Sequence, residues 1–152
     1  MARSKMPFKK VLFLVETSKG ALEAARYTIE LVKGADARLL AVAVVDTETL
    51  RQLLTSHILA EQEMRELEAD LEDSCRRQLD HVVELARKAG VKVEPMLLKG
   101  SCHRQVMRAQ RESGADLIVL APFRVSMATR DLMANEKELI ADEADCPVLI
   151  LR

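Results

Sequence analysis

Val11-Leu12-Phe13-Leu14-Val15 runs directly into Glu16-Thr17-Ser18, and this abrupt change from apolar to polar residues decides how the chain folds. A continuous aliphatic run, with no alternation, is the pattern of a strand covered on both faces, as in a parallel sheet. Thr17 and Ser18 then offer N-cap side chains for a helix. Ala21, Ala24, Ala25, Thr28, Leu31 and Val32 follow at helical spacing up to Gly34, which is placed to close that helix in the left-handed conformation. Strand, polar turn and amphipathic helix together make the first half of a βαβ unit.

The rest of the chain repeats the unit. Leu39 to Val45 reads as a second buried strand ending at Asp46, and residues 47–60 are open between an extra helical turn, a short helix and a loop. Met64, Leu67, Leu71, Cys75, Leu79, Val82 and Ala86 form one apolar stripe on a long, otherwise acidic helix that Gly90 ends. Val91 to Leu98 alternates and predicts a third strand nearer an edge. Ser101 caps a third helix that runs to Ser113 and stops at Gly114. Leu117 to Leu120 is a fourth strand. Asn135 starts a fourth helix with Glu138 as its capping-box partner, and Val148 to Leu151 is a fifth strand behind Pro147. The prediction is a single α/β domain over residues 1–152, a Rossmann-like or flavodoxin-like layer. It has a five-stranded parallel sheet of order 3-2-1-4-5 with four helices on its two faces. Ligands of such sheets bind beyond the carboxyl ends of the strands, where the strand order reverses. That directs attention to Glu16–Ser18 and Ala121–Met127.

Composition limits the function classes. The net charge is -1 and aromatic residues are 3% of the chain, which excludes a global field for nucleic acid or anionic lipid and an aromatic platform for single strands. Cys75, Cys102 and Cys146 form no disulfide framework, pointing to a reducing compartment and a cytoplasmic location. The basic start (Arg3, Lys5, Lys9, Lys10) precedes an apolar run too short for a signal peptide, and no stretch reaches the ~20 apolar residues of a membrane span.

Several segments resemble the universal stress protein family. Val11 to Ser18 is similar to its first strand and turn, where an Asp normally stands in place of Glu16, and Val44-Val45-Asp46 is similar to its V-x-D strand ending. Ala115-Asp116-Leu117-Ile118-Val119-Leu120 and Asp145-Cys146-Pro147-Val148-Leu149-Ile150 resemble its last two strands at the usual separation. The resemblance implies an ATP or AMP site in the crevice, held by a glycine-rich signature after strand four: Gly, two residues, Gly, nine residues, then Gly-Ser or Gly-Thr. On this chain those positions fall on Ala121, Arg124, Ala134 and Asn135, so every signature glycine is replaced. Pro122 has no N–H to offer a phosphate, and a non-Gly residue in the left-handed conformation costs roughly 1–2 kcal/mol. All five glycines (Gly20, Gly34, Gly90, Gly100, Gly114) have posts at helix ends or turns elsewhere. Glu16, Val44, Ala121, Arg124, Arg130, Ala134 and Asn135 therefore define a degenerate nucleotide crevice. In it, Glu136 and Glu138 complement the dipole of the following helix, and only the guanidinium groups of Arg124 and Arg130 stand in for backbone donors.

Other chemistry is weaker. Cys102, at a helix start beside His103, Lys99 and Arg104, is a candidate redox thiolate, although the third strand should hold it at the sheet edge, half-exposed and far from the crevice. His57, His81 and His103 lie at no metal-ligand spacing, and there is no nucleophile elbow, P-loop or paired-carboxylate motif, nor the Asp that a phosphorelay receiver needs at the end of strand three, where Leu98-Lys99 stands. Arg104, Arg108 and Arg111 read as a solvated stripe. Val148, Leu149, Ile150 and Leu151 form an uncovered apolar edge, which pairing with a second copy would close as a twofold dimer; the resemblance implies the same. The sequence thus predicts a non-catalytic, homodimeric stress-response or regulatory protein acting through an unidentified protein partner, with no nucleic-acid or membrane role. A nucleotide-binding switch and a Cys102 redox sensor are the alternatives.

Overall fold

The computed structural model describes residues 6–17, 20–56, 60–123 and 130–152, the side chains of 53 and 130–134 excepted. In chain order its elements are β1 (Lys10–Leu14), α1 (Ala21–Gly34), β2 (Arg38–Asp46), α2 (Thr47–Thr55), α3 (Glu61–Lys88), β3 (Val93–Gly100), α4 (Cys102–Ser113), β4 (Leu117–Leu120), α5 (Arg130–Glu143) and β5 (Val148–Ile150). The sheet is parallel throughout, in the order β3-β2-β1-β4-β5. Leu12 of β1 stands between Leu40 of β2 and Ile118 of β4, and all three are fully buried.

Successive strand residues feed opposite layers. Val11, Phe13, Leu39, Ala41, Ala43, Val45, Val119 and Ala121 pack under α1 and α3, against Ala25, Ile29, Val32, Cys75, Leu79, Val82 and Ala86. Leu12, Leu14, Leu40, Val42, Ile118 and Leu120 meet Cys102, Val106 and Ala109 of α4 and Ile140 of α5 on the other face. This two-sided burial is why the strand sequences carry no polar alternation.

Several local expectations change. Five helices are present among the described residues, one more than the sequence predicts. The addition is α2, which forms at once because the Asp46 carboxylate at the end of β2 accepts the Thr49 N–H at 2.9 Å and caps it. Helix α5 begins at Arg130, so Asn135 and Glu138 lie within it and form no capping box. Gly34 does not adopt a positive φ. Helix α1 runs through it, the Ala35 N–H still reaches Leu31 O at 3.0 Å, and the left-handed turn falls on Asp36 (φ 52°). At its other end α1 starts after Gly20 (φ 88°) without a side-chain cap, so Thr17 does not serve as one, and Ser18 lies outside the described residues. Strand β3 is displaced toward Gly100 because the buried Val91 still belongs to the end of α3, its N–H bonding Ala86 O at 2.9 Å.

Candidate functional site

Two polar clusters lie side by side beyond the carboxyl ends of the strands. The first is the expected crevice. Glu16 follows β1, and Ala121, Pro122 and Phe123 follow β4. Helix α5 crosses behind them and sends Lys137 inward from the same stripe as Ile140. The Lys137 side chain is 0% exposed, and its Nζ lies 2.7 Å from Glu16 Oε2, whose side chain is 8% exposed. The ammonium also donates to Pro122 O at 3.0 Å and Ala121 O at 3.5 Å, and stands 5.1 Å from the centroid of the Phe123 ring. Lys137 therefore has four partners. Glu16 Oε2 meets no donor other than Lys137 among the described groups. Burial pushes the Glu16 carboxyl above its usual range, and the attraction of Lys137 only partly opposes that.

Of the residues expected to hold a nucleotide, Glu16 and Ala121 come together, both through Lys137. Val44 lies on β2 and packs toward α4, and Asn135 is exposed on α5. Arg124 and Met127, like the rest of residues 124–129, lie outside the described residues, as do the side chains of Arg130 and Ala134. Lys137 was missed by sequence reasoning. Its signal was a lysine in helical phase with Ile140 and Ala144, on the face that packs against the sheet.

The second cluster joins β2, α4 and α5. Asp46 accepts the Thr49 N–H through Oδ1 and the Cys102 N–H through Oδ2 at 3.3 Å, so one carboxylate serves the N-termini of α2 and α4. It supplies the cap that Ser101 was expected to give; Ser101 makes no capping hydrogen bond, and its Oγ lies 3.1 Å from His103 Nδ1. Glu136 Oε2 accepts the His103 N–H at 2.7 Å and lies 2.6 Å from His103 Nδ1. Glu136 is thus tied to α4 and does not complement the start of its own helix. Because Ser101 and Glu136 both address Nδ1, the trio cannot relay a proton from hydroxyl to carboxylate through the two ring nitrogens, as a hydrolytic triad must.

Cys102 differs from expectation in two respects. It is only 3% exposed, and it lies close enough to the crevice to feel the charges of Glu16 and Lys137. Helix α4 brings it inward from the edge strand, over the end of β2. Burial, reinforced by the negative charges of Asp46 and Glu136, pushes its thiol well above the ordinary value, which is opposite to a redox-active thiolate.

A parallel sheet of this strand order, with a polar crevice at its switch point, defines a doubly wound α/β domain. The chain belongs to the universal stress protein family, whose model matches residues 7–152. It is 28% identical over 145 residues to universal stress protein MJ0531 of Methanocaldococcus jannaschii, covering 95% of this chain and 82% of that protein. A solved member from Burkholderia pseudomallei superposes with a TM-score of 0.69 at 26% identity, covering 94% and 95% of the two chains. A universal stress protein of Archaeoglobus fulgidus, solved in complex with dAMP, superposes with a TM-score of 0.63 at 16% identity, covering 97% and 100%. Among the described residues no helix is long and apolar enough to cross a membrane.

Proposed function

We propose that this universal stress protein is a non-catalytic, cytoplasmic homodimer whose nucleotide crevice is closed by its own side chains, and that it acts through protein contacts. The observation that carries the reading is the Glu16–Lys137 pair, with the lysine fully buried between the ends of β1 and β4. A nucleotide entering there would have to part a contact ion pair and displace the ammonium from Pro122 O. Its phosphates would meet a carboxylate at Glu16 and no N–H at Pro122. The free, unpaired state of all three cysteines supports a reducing compartment. Dimerisation is supported by β5, which pairs β4 along one side and leaves Ile150 42% exposed on a strand whose other edge is unpaired among the described residues.

The dAMP complex of the Archaeoglobus fulgidus protein favours one other reading, a nucleotide switch in which AMP or ATP opens the crevice. Calorimetric titration with ATP, ADP and AMP in the presence of magnesium separates the two. The closed-crevice reading expects no heat of binding below millimolar nucleotide, and micromolar binding of any of the three overturns it. Light scattering is expected to give twice the chain mass at micromolar protein; a monomer there refutes pairing through Val148–Leu151.

A further inference from the structure

We propose that Asp46, Cys102 and Glu136 form a binding site for a divalent transition-metal ion of the zinc type. One donor atom from each of the three side chains lies within 4.8 Å of the others. In a tetrahedral site with metal–sulfur and metal–oxygen distances near 2.3 and 2.1 Å, neighbouring donors are roughly 3.5 Å apart. Closing the cluster onto an ion thus takes donor-atom shifts of about 1 Å. The donors sit on three separate elements, at the end of β2, the first residue of α4 and the second turn of α5, so the site is set by the fold.

Each donor is held or available for a physical reason. The two helix N–H groups on Asp46 fix its orientation and leave lone pairs on both oxygens. His103 engages Glu136 through Oε2 with both its backbone N–H and its ring, and leaves Oε1 without a partner among the described groups. His103 is therefore a positioning residue. The Cys102 thiol is buried, with 3% of the residue exposed, and it hydrogen-bonds none of the described groups although two carboxylates stand beside it. Helix capping explains Asp46 and Oε2 of Glu136, but it explains neither Oε1 of Glu136 nor the unpartnered thiol.

Charge and ligand softness select the ion. Two carboxylates and a thiol crowded within 4.8 Å repel once ionised. A divalent ion removes that repulsion. The N-termini of α2 and α4 oppose a cation with about half a charge each. Set against these and the ion, three ionised donors bring the cluster close to neutrality. A thiolate ligand disfavours magnesium and calcium, which take oxygen donors, and suits zinc, cobalt or ferrous iron. Ligation forms a metal–sulfur bond and releases the Cys102 thiol proton to solvent. Three protein donors leave one tetrahedral position for a water ligand.

Cobalt(II) is the probe. Titrated into the reduced full-length chain, it is expected to produce a thiolate-to-cobalt charge-transfer band saturating at one ion per chain and abolished by added zinc. Cys102→Ser should remove the band, Glu136→Gln should weaken affinity tenfold or more, and Cys75→Ser and Cys146→Ser should leave both unchanged. Circular dichroism establishes that each variant is folded, and Glu136→Gln carries the test if Cys102→Ser is not. Absence of the band at millimolar cobalt, its survival in Cys102→Ser, or unchanged affinity in Glu136→Gln would overturn the site.

Discussion

Replacing Lys137 by Met, which keeps the length of the side chain and removes its charge, tests the buried pair most severely. At 2.7 Å and an effective dielectric constant of about 20, the Coulomb attraction is about 6 kcal/mol. The raised Glu16 carboxyl shows that desolvation of that group outweighs this attraction, so the pair as a whole adds little net stability. Its halves are unequal, however. Without Lys137, Glu16 keeps no donor among the described groups, and Lys137→Met is expected to cost ~3–5 kcal/mol, the usual penalty for stranding one member of a buried pair. For a chain of 152 residues that is a fall in Tm of about 6–20 °C. Without the Glu16 charge, Lys137 retains two carbonyl oxygens and the Phe123 ring, so Glu16→Gln should cost only ~1–2 kcal/mol. The double variant Glu16→Leu/Lys137→Met should return close to the parent. Acidification adds a signed check. A carboxyl raised in the folded state takes up its proton there at a pH where the unfolded chain has not, so folding gains stability as pH falls toward the ordinary carboxylate value and loses it as pH rises through the folded one. Lys137→Met should therefore recover stability relative to the parent as pH falls from neutrality toward the ordinary glutamate value of about 4.3. Urea unfolding at neutral and at mildly acidic pH measures all of this. A cost under about 1 kcal/mol for Lys137→Met, or a larger one for Glu16→Gln, would refute the reasoning.

Two glycines of opposite conformation make a second test. Gly114 closes α4 at φ 73° with open space around it, so Gly114→Ala should cost roughly 1–2 kcal/mol of backbone strain alone. Gly34 is helical and equally open, and Gly34→Ala should stabilise by about 0.4–1 kcal/mol in thermal or urea melts. Asp46→Ala removes the caps of both α2 and α4 and should cost ~1–4 kcal/mol at neutral pH, with faster amide exchange confined to the first turns of those two helices.

The layer order and the apolar runs of β1, β2 and β4 are legible in the sequence because burial on both faces leaves a continuous hydrophobic signal in each. What stayed hidden depends on contacts between distant segments. Lys137 reads as a surface lysine between two glutamates until α5 is laid against the ends of β1 and β4. Asp46, Cys102 and Glu136 share no sequence spacing, since β2, α4 and α5 converge only in three dimensions. Gly34 misled because a glycine at a helix end is so often left-handed, whereas here Asp36 makes the turn two residues later. The residues at the signature positions are legible in the sequence, but the burial of Lys137 beside Glu16 and Ala121 is not.

The proposed closure of the crevice is tested most directly by following backbone amide resonances as AMP is added to millimolar concentration, with those of Val15, Thr17, Val44 and Phe123 as reporters around Glu16 and Lys137. These four resonances are expected to stay in place. Saturable shifts at them, at micromolar AMP, would contradict the closure.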